Sequence, residues 1–167
     1  MRTVLAAGAA LLIAATITWE YFNGGVVSHH LLARDDLPAV SNWWGLLTLP
    51  ALAWFLGGRM ERRRGAAPRT LLAGFALALL FGVVLSAFFR SSWPEVPGYM
   101  VMALPLIALA YPIYRAECVL GFVAGMCFVF GPILPIIAAC VFAAAGALFY
   151  HLPRICIAFA MRSRKAA

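Results

Sequence analysis

Residues 70 to 89, TLLAGFALALLFGVVLSAFF, make twenty consecutive positions without a charge. As a helix rising 1.5 Å per residue, such a run is about 30 Å long, the thickness of a bilayer's hydrocarbon core. Similar runs recur along the chain. Its 167 residues are 65% hydrophobic and 11% charged, against roughly 25% charged in soluble domains. A soluble fold of this size could not cover such a surface with polar atoms. The expected fold class is therefore all-α, a polytopic transmembrane helical bundle of about six helices. Residues 1–167 form a single integral membrane domain, with the lipid bilayer as the first partner.

Punctuation sets the expected helices. Helix 1 covers Thr3 to Trp19. Arg2 followed by an apolar run has the outline of a signal peptide, but ATITWEYF offers no small-x-small cleavage site, so the segment reads as an uncleaved helix. Asp36-Leu37-Pro38 has the form of a helix start, an Asp cap with proline in the first turn. Helix 2 then runs from Leu37 to Leu56, with Ser41 and Asn42 inside it, and Gly57-Gly58 ends it. Helix 3 covers Thr70 to Phe89. Helix 4 covers Tyr99 to Tyr114, kinked by Pro105 and Pro112. Helix 5 covers Cys118 to Phe130 and GPILP breaks it. Helix 6 covers Ile136 to Tyr150, and RICIAFAMRSRK follows as an extension or an interfacial segment. Helices 5 and 6 are short enough to be partly re-entrant instead.

With the N-terminus inside, the inner segments hold Arg2, Arg59, Arg62, Arg63, Arg64, Arg69, Arg115, Arg154, Arg162, Arg164 and Lys165, and the outer ones Arg34 and Arg90. Eleven against two is a strong positive-inside bias. Both termini are expected in the cytoplasm and the chain in a bacterial inner membrane. The net charge of +7 thus orients the chain. No nucleic acid partner is expected, because no basic face with interleaved aromatics lies on a soluble element.

Small residues mark packing faces. Gly74, Ala78, Gly82 and Ser86 repeat every four residues on helix 3, and Gly121 and Gly125 pair on helix 5. They serve packing inside the chain, or a homo-oligomer or membrane-complex partner docked on the Gly74/Ala78/Gly82 or Gly121/Gly125 face. No internal repeat supports an inverted-repeat transporter. Cys118, Cys127, Cys140 and Cys156 lie in apolar runs without metal-site spacing. They read as small buried hydrophobes that form no disulfide.

The polar chemistry gathers in one stretch, NGGVVSHHLLARDDLPAVSNWW, residues 23 to 44, just after Glu20. Asn23-Gly24-Gly25 make a turn that could fold residues 26 to 34 back over helix 1. His29 or His30 then nears Glu20. Adjacent histidines diverge on either a helix or a strand, so one histidine with Glu20 and Asp35 or Asp36 is the defensible metal set. That mixed nitrogen and oxygen set suits a divalent metal such as zinc, although the spacing fits no named motif. The same Glu20, His29, His30 and Asp35 are the candidates for acid–base work. Asn23, Arg34, Ser41, Asn42, Trp43 and Trp44 are candidate ligand contacts. Ordinary roles compete for several of them. Asp36 caps a helix, Arg34 pairs with Asp35 or a lipid phosphate, and Trp19, Trp43 and Trp44 form an interfacial belt. Ser41, Gly45 and Thr48 would share one face of helix 2. Ser28 and Ser41 lack a nucleophile-elbow context for a triad. His151 falls at the opposite membrane face.

Helices 3 to 6 show no confident intramembrane charge, which disfavours an ion-coupled transporter. Three functions remain: an extracytoplasmic interfacial site that binds or modifies an amphipathic or lipid-like ligand, a passive small-solute channel, and a helix-packing subunit of a larger complex.

Overall fold

The computed structural model describes residues 1–30, 39–63, 65 and 67–166, and of residues 29, 30, 160 and 163–166 the backbone alone. Six helices account for most of it: α1 (Arg2–Phe22), α2 (Gly45–Arg62), α3 (Pro68–Phe89), α4 (Val96–Ala110), α5 (Ala116–Phe130) and α6 (Ile133–Ala166). Between α1 and α2 two short strands, β1 (Ser28–His30) and β2 (Ala39–Ser41), pair antiparallel with Ser28 opposite Ser41. A 3-10 turn, Asn42–Trp44, leads into α2.

Helix 2 departs from expectation at both ends. Strand pairing claims Ala39–Ser41, and the Asn42 amide donates to the Val27 carbonyl at 3.1 Å. The β-branched Val26, Val27 and Val40 favour that extended arrangement. Ser41 and Asn42 therefore lie outside the helix, and Ser41, Gly45 and Thr48 share no helical face. Nor do the glycines end it. Gly57 lets the backbone of Arg2 approach, where a Cβ would stand 2.9 Å from the Arg2 Cα. The helix continues to Arg62.

One proline also departs from expectation. Pro112 ends α4 rather than kinking it, because the residue before proline is pushed out of the helical region. Tyr111 is accordingly extended, with φ −123° and ψ 133°. Pro153, by contrast, sits inside one continuous α6. Neighbouring groups can re-satisfy the backbone around a proline in an apolar helix. Arg154, next to it, donates to the carbonyls of Tyr150 and Leu109, the latter at 3.0 Å, and so ties α6 to the end of α4.

α5 is the centre of the bundle. Cys118, Leu120, Phe122, Val123, Met126 and Cys127 on it are all buried. Ile13 and Ile17 of α1, Leu49 of α2, Leu85 of α3 and Ala139 of α6 form one core with Phe122, Val123, Met126 and Cys127. The contact with α3 is the closest. The two helices run parallel, and a Cβ on Gly121 or Gly125 would collide with the carbonyl oxygen of Phe75 or Leu79. A Cβ on Gly82 would lie 2.7 Å from the Phe122 carbonyl oxygen. The glycine faces of the two helices thus meet each other within the chain. α1 and α2 form an antiparallel pair beside them. Arg2 and the N-terminal ammonium bind Glu61 at 3.2 and 3.0 Å at one end, and Ile13 abuts Gly45 toward the other.

Among the described residues three helices are long and apolar enough to cross a membrane, Arg2–Phe22, Pro68–Phe89 and Ile133–Phe159, and each buries only 17–22% of its most apolar stretch inside the protein. The rest, including Leu11, Leu72, Leu77 and Leu148, faces outward. Apolar surface on this scale suits a chain whose solvent is lipid.

Gly121→Ala and Gly125→Ala should each destabilise the protein by about 1–3 kcal/mol, the usual cost of overpacking. Gly8→Ala should be neutral or slightly stabilising, since nothing lies within 4 Å of a Cβ there and alanine is the better helix former. Melting temperatures in detergent compare the three. Equal values would contradict the close α3–α5 contact.

Candidate functional site

Polar chemistry collects at the two ends of α5, about 20 Å apart for thirteen residues of helix rise. At the hairpin end, α1 stops where Asn23 folds its amide onto the Trp19 carbonyl at 2.8 Å. Gly24 and Gly25 then turn the chain at φ 118° and 100°, as their lack of a Cβ permits. The turn brings the Val27 N–H to Glu20 Oε2 at 3.1 Å. Asn42, almost wholly buried, donates through Nδ2 to Glu20 Oε1 at 2.6 Å. Its Oδ1 lies against Gly131, which has φ 65° and no room for a Cβ. Glu20 is thus hydrogen-bonded through both oxygens, and Asn42 is held between α1 and the α5–α6 turn.

Of the residues expected at this end, the structure brings Glu20 and Asn42 into contact. Asn23 serves the end of α1. Trp19, Trp43 and Trp44 are exposed around the same end. His29 and His30 belong to β1, their backbones pairing with Val40 and Ala39. Arg34, Asp35 and Asp36 lie outside the described residues, as do the histidine side chains. Among the described residues no three His, Cys, Asp or Glu side chains converge as metal ligands. Of the proposed zinc set they provide only Glu20, whose two oxygens accept protein hydrogen bonds.

The basic end holds what the sequence reading missed. Glu117, one residue ahead of the expected helix 5, lies in the first turn of α5 and is 1% exposed. Arg63 Nη1 donates to its Oε1 at 2.6 Å, while Oε2 is buried with no hydrogen-bond partner among the described residues. Glu117 thus places a buried charge in the first turn of α5. An acid in a helix's first turn is favoured by the helix dipole, and that was the available signal. Its partner, 54 positions earlier, left none. His151 also lies at this end, its Nε2 2.9 Å from the Tyr114 hydroxyl, far from Glu20 as expected.

Beside Glu117 a cavity of about 320 Å³ opens between α3, α4, α5 and α6. Gly74, Ala78, Ala139 and Ala143 leave the space, and Phe81, Phe122 and Phe142 flank it. Their rings touch in series, Phe81 tilted against Phe122 and Phe122 edge-on to Phe142, with centroids 6.2 and 5.6 Å apart. The polar edge of the cavity is at Gly74. A Cβ there would meet Tyr111 Oη at 2.8 Å, Glu117 Cγ at 3.0 Å and Cys118 Sγ at 3.5 Å. All four cysteines are free thiols; Cys118 and Cys127 are buried, whereas Cys140 and Cys156 are exposed on α6.

No protein-family model, no curated protein and no solved structure matches this chain.

Asn42→Asp would set a second carboxylate against Glu20. Two carboxylates in one site hold a proton more tightly than either alone. The folded-state pKa of the pair then lies above its unfolded value, so stability is present at low pH and lost as pH rises. The Asn42→Asp melting temperature should fall between pH ~5 and ~8. Asn42→Ala, which leaves one acceptor unpaired at a cost of about 1–3 kcal/mol, should show no such slope. A flat Asn42→Asp profile would show that Glu20 and Asn42 are apart.

Proposed function

We propose that this protein is an integral membrane protein that holds an amphipathic, lipid-like ligand in the cavity between α3, α4, α5 and α6. The observation that carries the reading is the cavity's composition. Its walls are almost entirely apolar, and ionisable groups stand at one edge only. Its volume of about 320 Å³ falls at the lower end of small-molecule sites, roughly 300–1,000 Å³. A passive channel finds less support, because a solute path needs polar lining. The hairpin-end site, with Glu20, one histidine and Asp35 or Asp36 acting on the ligand, also finds less, because Glu20's oxygens are engaged by Asn42 and Val27.

In this reading all six helices cross the bilayer. α4 and α5 have 15 residues each, about 22 Å of helix. α5 is enclosed by its neighbours and need not match the lipid. The basic end faces the cytoplasm, with both termini there, in a bacterial inner membrane. The arginine asymmetry supports that orientation, and a reporter fused after Gly65 should read cytoplasmic. A periplasmic signal would reverse the orientation.

Filling the cavity tests the ligand reading. A ligand that binds only the folded state raises stability by mass action, about 2.7 kcal/mol at a hundredfold excess over Kd. In delipidated protein, 1-dodecanol should raise the melting temperature of the wild type and leave Ala78→Leu and Ala143→Leu unchanged. An equal rise in all three would mean the alcohol binds elsewhere.

A further inference from the structure

Among the described residues the lining of the cavity holds no charged side chain, and two lining residues carry polar groups, Tyr111 and Cys118. Pro112 sets Tyr111 in place. It holds Tyr111 extended at the end of α4, as the residue before a proline usually is. The side chain crosses to α3, where its hydroxyl lies 2.8 Å from the point that a Gly74 Cβ would occupy. The Cys118 Sγ stands 3.5 Å from the same point. Phenol, thiol and bare glycine thus meet at one edge, all three on residues that line the cavity. The hydroxyl is lightly engaged there. Tyr114 Oη, farther along the same connection, is 2.9 Å from His151 Nε2. The side chain beside Tyr111 Oη is instead the Cys118 thiol, a weak hydrogen-bonding partner.

Resting on the ligand reading above, we propose that the ligand's polar end is an uncharged hydrogen-bond acceptor, a ketone or ester carbonyl, that receives the Tyr111 O–H at the Gly74 edge. The lining selects the neutral class. A charged head would enter a low-dielectric space that offers it no opposite charge. Glu117, outside the lining, is already paired with Arg63 at 2.6 Å. The lining also selects an acceptor. A phenol donates more strongly than it accepts, because its ring withdraws the oxygen lone pair, and the helices around it spend their own carbonyls internally. A phenol O–H shut in an apolar wall with only a thiol beside it gains from a carbonyl oxygen. The apolar remainder of the ligand then lies along Ala78, Ala139 and Ala143 against the phenylalanines.

The probes are 2-tridecanone and 2-methyl-1-tridecene, which share a shape and differ in the carbonyl oxygen. Tritiated 1-dodecanol is bound to the full-length protein in detergent and displaced by each unlabelled compound, with affinities expressed as mole fraction in the micelle. The readout is the ketone-to-alkene affinity ratio, compared between the wild type and Tyr111→Phe so that the micelle's own preference cancels. The ratio should be about fivefold higher in the wild type, the scale of one hydrogen bond between neutral groups. Gly74→Ala, whose Cβ would stand 2.8 Å from the hydroxyl and push it aside, should lower the ratio in the same direction. It decides the matter where Tyr111→Phe does not fold. If dodecanol binds saturably and the ratio is the same in wild type and variants, the cavity binds amphiphiles but the acceptor inference is overturned. If tritiated dodecanol shows no saturable binding to the wild type, both the inference and the ligand reading fall.

Discussion

The backbone-to-backbone contact of α3 with α5 organises everything else in this bundle. In lipid, helices gain nothing from hiding apolar surface from water, so close packing has to hold them together. Gly82, Gly121 and Gly125 make that possible by letting carbonyls of one helix reach the Cα atoms of the other. Once α5 is seated against α3, its remaining faces receive α1, α2 and α6 around Val123, Met126 and Cys127. At Gly74 the pattern changes. There the space beside α3 is taken by Tyr111, Glu117 and Cys118, and the small residues of α3 and α6 leave a cavity instead of a seam.

Polar bonds fix the ends of the helices in register. Glu20 and Asn42 join α1, the 3-10 turn and the α5–α6 turn. Arg63 and Glu117 join the end of α2 to the start of α5. Arg2 and Glu61 close the other end of the α1–α2 pair. Each bond links segments far apart in sequence, and in each the charge lies near a helix terminus, where the apolar runs give way. The Arg63–Glu117 bond differs in leaving one buried oxygen without a partner among the described residues.

The sequence displayed its solvent more plainly than its site. Uncharged runs such as 70–89 and the paired glycine stripes identified the helices and their mating faces, because both signals are periodic and local. The Asn23-Gly24-Gly25 turn was legible for the same reason. Helix ends were less so. Asp36-Leu37-Pro38 has the residues of a cap, but strand pairing between residues distant in the chain decided the conformation of Ala39–Ser41. Gly57 resembled a stop signal and proved to be a place of close approach. The prominent cluster of His, Asp and Asn drew attention to the hairpin end, whereas the cavity is built from alanines, glycines and phenylalanines that no spacing singles out. Glu117 was visible as a residue, but its burial depends on Arg63 and on α3 lying alongside.

The claim on which the account rests is that an amphiphile occupies the space between α3, α4, α5 and α6. The most direct measurement is photolabelling of the reconstituted protein with a long-chain alcohol carrying a diazirine near the chain's end, followed by mapping of the adducts. Adducts should concentrate on residues 74–81, 104–107, 118–122 and 139–143, and an excess of unlabelled alcohol should suppress them. Adducts spread over the outward-facing Leu11, Leu72, Met102 and Leu148, unaffected by the competitor, would contradict the account.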